Sequence, residues 1–97
     1  MLDRRARPRI AEDDALIRAL VGEDQGELPA GVRRIELQFG SDSNDEPAVW
    51  IVAIVGKEVA ATDENVAAIG DFLDRLKMKV IDAHTLRWPY TRIQAEN

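Results

Sequence analysis

The chain has no cysteine, one histidine and few aromatic residues: two Trp, one Tyr and two Phe among 97 residues. Without cysteine there is no disulfide, no thiolate metal site and no cysteine nucleophile. With His84 as the sole imidazole, any Ser-His-Asp arrangement would have to be built on it. It lies near the end of a predicted helix, where a cation suits the dipole, so a surface or capping role is expected. A zinc site is not expected, because no second histidine or cysteine exists to share it. No glycine-rich phosphate loop is present; the six glycines are isolated. The longest apolar run, Ala48 to Val55, is far short of the roughly 20 residues that span a membrane. The basic N-terminus has no apolar stretch behind it and does not read as a secretory signal. A soluble, cytoplasmic protein is expected, with no cofactor and no membrane partner.

Charge is what the chain has in quantity, at 32% of residues with a net charge of −5. It is unevenly spread. Arg4, Arg5, Arg7 and Arg9 stand against Asp3 alone, so the first ten residues are basic and the remainder is acidic. An acidic body argues against nucleic acid as the main ligand, because phosphate contact needs a basic face. The arginine segment keeps nucleic-acid binding open as an alternative, with Arg4, Arg5, Arg7 and Arg9 on phosphates. It lacks interleaved aromatics for base stacking.

The length allows a single domain with a modest core. Residues 1–9 show no apolar periodicity and contain Arg7-Pro8-Arg9, so they read as a flexible basic arm. Residues 10–97 read as the domain. Ile10, Leu16, Ile17, Leu20 and Val21 share a helical face, with Gly22 as the predicted C-cap. From Val32 to Phe39, Ile35, Leu37 and Phe39 alternate with Arg34, Glu36 and Gln38, the pattern of a half-buried strand. Ala48 to Val55 is apolar on both faces: Val49, Ile51, Ala53 and Val55 on one, Trp50, Val52 and Ile54 on the other. Such a strand is central or covered on both sides. Thr62 or Asp63 caps a second helix, whose stripe runs Val66, Ile69, Leu73, Leu76, Val80. Gly70 inside it suggests close packing on the sheet. Tyr90 to Gln94 reads as a third strand. The predicted fold is α+β in the order α-β-β-α-β: a small three-stranded sheet with two helices packed mainly on one face. The first helix covering the opposite face is the alternative, and strand order stays open.

No constellation points to catalysis. Asp42, Asn44, Asp45 and Glu46, in the predicted turn between the first two strands, offer oxygens as a calcium loop does. The loop glycine and the distant glutamate of an EF-hand are missing, so a solvated tip or an acidic contact for a basic partner fits as well. Asp13 with Asp14 and Asp71 with Asp74 are carboxylate pairs on helices, expected to be solvated, with Arg75 pairing to Asp71. The apolar residues suggest more. If both helices take the Val49 face, Trp50, Val52 and Ile54 form an exposed row, and such rows mark interfaces; cover by the first helix or the C-terminal segment is the equal alternative, since such residues prefer burial. Trp88-Pro89-Tyr90 either plugs the core or projects as a knob for a partner. Trp50, Val52, Ile54, Trp88 and Tyr90 are therefore the candidate partner-binding residues.

The segments Ile35 to Ser43, Pro47 to Trp50 and Arg87 to Tyr90 resemble a group of small uncharacterised bacterial proteins, similar to accessory or antitoxin-like partners of toxin–antitoxin and defence operons. The resemblance spans about residues 32–94 and contains no catalytic motif. It implies a binding role. With the doubly apolar strand, the acidic body and the missing nucleophile, the expectation is a non-catalytic protein-interaction module that binds a partner protein or itself, as a homodimer.

Overall fold

The strand that is apolar on both faces takes the centre of the sheet. β1 (Val32–Ser41), β2 (Pro47–Val55) and β3 (Trp88–Ala95) lie in the order β1-β2-β3. β1 and β2 are antiparallel; β2 and β3 are parallel. The helices are α1 (Asp3–Gly22) and α2 (Asp63–Asp82), giving the predicted order α-β-β-α-β. This computed structural model describes residues 3–57 and 63–96, with side chains at 10–57 and 64–96. Thr62, one predicted cap of α2, lies outside the described residues. Strand order, left open by the sequence, is decided by β2 pairing with both neighbours. That makes β1 and β3 the two edges.

Both helices share one face. Ile17 and Val21 of α1 join Ile69, Phe72, Leu73, Leu76 and Val80 of α2 in one buried cluster with Ile35, Val49, Ile51 and Ala53 of the sheet. The stripe predicted for α2 is thus its buried face. Val66, at the N-terminal end of that stripe, remains exposed. Gly70 does not mark a close approach: a Cβ built there meets nothing within 4 Å. α2 ends on His84, which holds a left-handed φ of 55° while its amide donates to the Ile81 carbonyl. A residue in this conformation closes many helices, and glycine is its usual occupant.

α1 starts earlier than expected. Its backbone is helical from Asp3, seven residues ahead of the predicted start at Ile10. Most of the segment expected as a flexible arm, 1–9, therefore has helical backbone. Apolar periodicity detects only the part of a helix that docks on a core. Alanine and arginine favour helix without docking, and Pro8 removes one hydrogen bond, to the Arg4 carbonyl, near the helix end.

Arg87 fastens α1 to the sheet. Its Nε donates to Asp14 Oδ1 at 2.5 Å and its Nη2 to Asp14 Oδ2 at 3.2 Å. Its Nη1 donates to the carbonyls of Gly40 at 2.9 Å and Ala48 at 3.1 Å. The same guanidinium lies 5.2 Å from the centre of the Phe39 ring, and that of Arg18 lies 4.6 Å from it. Next to it, Asp13 Oδ2 accepts the Leu86 amide at 2.8 Å. Asp13 and Asp14, expected to be solvated, are thus anchors for the segment entering β3. At the other end of α1, Lys79 Nζ reaches Asp24 at 2.8 Å and Glu23 at 3.4 Å.

Arg87→Ala leaves Asp14 and two strand carbonyls short of a donor, and should cost about 3 kcal/mol in urea unfolding. Arg87→Lys should recover only part, because an ammonium lacks the planar fork. Gly70→Ala should raise stability by about 0.5–1 kcal/mol in the same assay, since helix propensity improves and the space is open.

Candidate interaction surfaces

The uncovered face of the sheet carries Trp50, Val52 and Ile54, but two of the three are not exposed. Val52 is 0% and Ile54 3% exposed within the single chain. This corrects the expectation that they form part of an open apolar row. Their cover is polar. Arg92 Nη2 on β3 donates to Gln38 Oε1 on β1 at 2.9 Å. Gln38 stands opposite Trp50 and Arg92 opposite Val52, so this bond crosses over the central strand. Arg34, opposite Ile54, bonds Glu36 at 2.7 Å and Glu96 at 3.1 Å. Glu96 also pairs with Arg33 at 2.9 Å. Long charged side chains lay their aliphatic stems over apolar neighbours while keeping their heads in water.

Trp50 is half-buried, stacked on Tyr90 with ring centroids 5.7 Å apart and planes 20° from parallel. Tyr90 is itself half-buried and donates its hydroxyl to Asp42 Oδ2 at 2.9 Å. Asp42 Oδ1 accepts the amides of Asn44 at 2.8 Å and Glu46 at 3.1 Å. The acidic loop is therefore a turn whose first carboxylate folds back on its own backbone and ties the β1–β2 tip to β3. The donors around Asp42, chiefly the Glu46 amide and then the Tyr90 hydroxyl, hold its carboxyl below the usual carboxylate range. The bond to Asp42 pushes the Tyr90 phenol above its ordinary value. Among the described residues, no three carboxylates or imidazoles gather as metal ligands. His84 is exposed. Arg75, expected beside Asp71, lies over the Phe72 ring at 5.6 Å. Arg4, Arg5, Arg7 and Arg9 lie in the helical backbone of α1, and their side chains are outside those described.

Exposed apolar surface collects instead along β3. Six large apolar residues are exposed among those described: Leu16, Val66, Met78, Leu86, Trp88 and Ile93. Leu86 leads into β3, and Trp88 and Ile93 are on it. Trp88 is 50% exposed, and Lys77 of α2 places its Nζ 5.8 Å from the ring centre. Because β2 and β3 are parallel, α2 runs back against β3. Eleven residues back along the helix and five forward along the strand each cover about 16 Å. Val66 therefore lies toward the same end of the sheet as Ile93. Trp88 was expected in this role; Leu86, Val66 and Ile93 were not.

No protein-family model, no curated protein and no solved structure matches the chain.

The Asp42–Tyr90 tie should show in pH dependence. A lowered carboxyl pKa means its contribution is complete above the ordinary carboxylate range and lost as pH falls through the depressed value. A raised phenol pKa means its contribution is complete below about 10 and lost as pH rises through the folded value. Asp42→Asn should therefore flatten the acid limb of the denaturation midpoint against pH, and Tyr90→Phe the alkaline limb. An acid limb as steep in Asp42→Asn as in the parent would remove Asp42 from the account.

Proposed function

We propose that this chain is a non-catalytic protein-interaction module that binds a protein partner along the edge of β3. The observation that carries the reading is the exposure of Leu86, Trp88 and Ile93 on that strand and its approach, and of Val66 on α2. An open strand edge offers backbone donors and acceptors, and apolar side chains flanking it supply burial. Trp88 has the character of an anchor: a large ring, half exposed, with a lysine at its face. The carboxylates the sequence offers for chemistry support this reading, because Asp13, Asp14 and Asp42 are all engaged in bonds that hold the fold. The antitoxin-like or accessory-subunit form of the role rests on the sequence resemblance alone.

A photo-crosslinking residue at position 93 or 88 tests it in the producing cell. Adducts to a defined protein partner, this chain included, are expected from both positions. Controls at Glu12 on α1 and Asp74 on α2, both exposed, should give none. Adducts from the controls alone would overturn the assignment of the surface.

A further inference from the structure

The two sheet edges are not equivalent, and their backbone groups distinguish them. The Glu96 amide donates to the Val55 carbonyl at 2.8 Å. In a ladder each residue turns its N–H and C=O to the same side, and successive residues alternate. Even-numbered residues of β3 thus turn toward β2. Pro89, Thr91, Ile93 and Ala95 turn outward. Pro89 has no N–H, and an outward position on an edge strand is where proline is tolerated. The free stretch is then Thr91, Ile93 and Ala95, three residues with Ile93 at the middle.

The β1 edge is partly closed. The Ile35 carbonyl, which points outward, accepts the Gln25 side chain at 3.3 Å. The register shifts between Val32 and Arg34, and such an irregularity bends a strand away from a neighbour. A symmetric pairing of two β1 strands about Leu37 would need the carbonyl that Gln25 holds. One about Phe39 would set Glu36 against Asp42 of the other copy, two like charges.

We propose that β3 pairs with β3 of a second copy of this chain, antiparallel, about a two-fold axis at Ile93. The proposal rests on the interaction-module reading and names its partner. About that axis Ile93 faces Ile93, Thr91 faces Ala95, and every outward N–H between them meets a C=O. Ile93 is 40% exposed in the single chain and would be covered by its own copy. On the opposite face of the sheet Arg92 stands against Gln94, and Glu96 of the second copy is its diagonal neighbour. Arg92 of the second copy is the other diagonal neighbour, and Arg92 and Glu96 are each held within their own sheet, by Gln38 and by Arg33 and Arg34, so the pairing rests on the backbone groups and Ile93, with no like charges directly opposed. A strand whose free backbone groups match themselves under a two-fold rotation is what an isologous interface requires. The two three-stranded sheets become one of six strands, with the helices of both copies on the same face.

Light scattering across a concentration series reads the mass directly. The expected mass is twice 10.8 kDa. A monomer at every concentration up to about 1 mM, the range of the weakest specific complexes, overturns the proposal. Crosslinks from position 93 to a different protein would at the same time leave the interaction-module reading standing. Ile93→Pro removes a donor that points away from β2 and takes no bond from the chain's own sheet. It should weaken dimerisation by more than about 30-fold while the circular dichroism spectrum stays that of the parent. A second variant does not depend on that substitution being tolerated. Facing residues of a hydrogen-bonded antiparallel pair have Cα atoms about 5.5 Å apart, within disulfide reach. In a chain without cysteine, Ile93→Cys should therefore oxidise to a covalent dimer, and Ser41→Cys at the β1 edge should not. A dimer that survives Ile93→Pro, or that crosslinks at 41 and not at 93, places the interface elsewhere and also overturns the proposal.

Discussion

The fold depends on one constraint: β2 is apolar on both faces, and the chain has helix enough to cover only one. Val49, Ile51 and Ala53 lie under α1 and α2 in the main core. Val52 and Ile54 lie on the other face and are still buried. Their cover comes from the neighbouring strands. Arg34, Glu36 and Gln38 from β1 and Arg92 from β3, with Glu96 just beyond it, lean across the central strand and join over it. Central placement is what makes this work, since only a strand with neighbours on both sides is reached from both. A domain of this size gains a second, thin apolar layer without a third helix.

Charged residues in this protein are largely structural. Arg87 gathers Asp14, two strand carbonyls and the face of Phe39 into one joint between α1 and the entry to β3. Lys79 makes the corresponding joint at the other end of α1. Asp42 folds the loop tip onto Tyr90. The exposed apolar residues at β3 carry the proposed interaction.

Much of the architecture was legible from periodicity. The alternation of Ile35, Leu37 and Phe39 identified the helix-facing side of β1. The spacing from Ile69 to Val80 identified the buried face of α2. The two-sided apolar run at 48–55 marked a strand that is central or covered on both sides. Periodicity missed what does not depend on burial, such as the helical backbone from Asp3 to Arg9. It also erred where cover comes from polar side chains. Val52 and Ile54 read as exposed on the premise that both helices take the other face; cover by the first helix or the C-terminal segment was the alternative, and side chains of β1 and the C-terminal strand supply it. Trp88, singled out as a core plug or a projecting knob, is exposed. Leu86, Val66 and Ile93 were not singled out, because two of them lie in or beside a strand too short to show a pattern, and Val66 looks like any other member of the apolar stripe on α2.

The sequence by itself determined the elements, their order and the faces that turn inward. Those follow from the 3.6- and 2-residue periods of local backbone geometry, which each segment carries alone. The tertiary structure decided the strand order, the polar cover of β2, the joint at Arg87 and the run of exposed apolar residues along β3. Each of these joins residues far apart in the chain, and the distance between them is set only when β2 acquires neighbours on both sides.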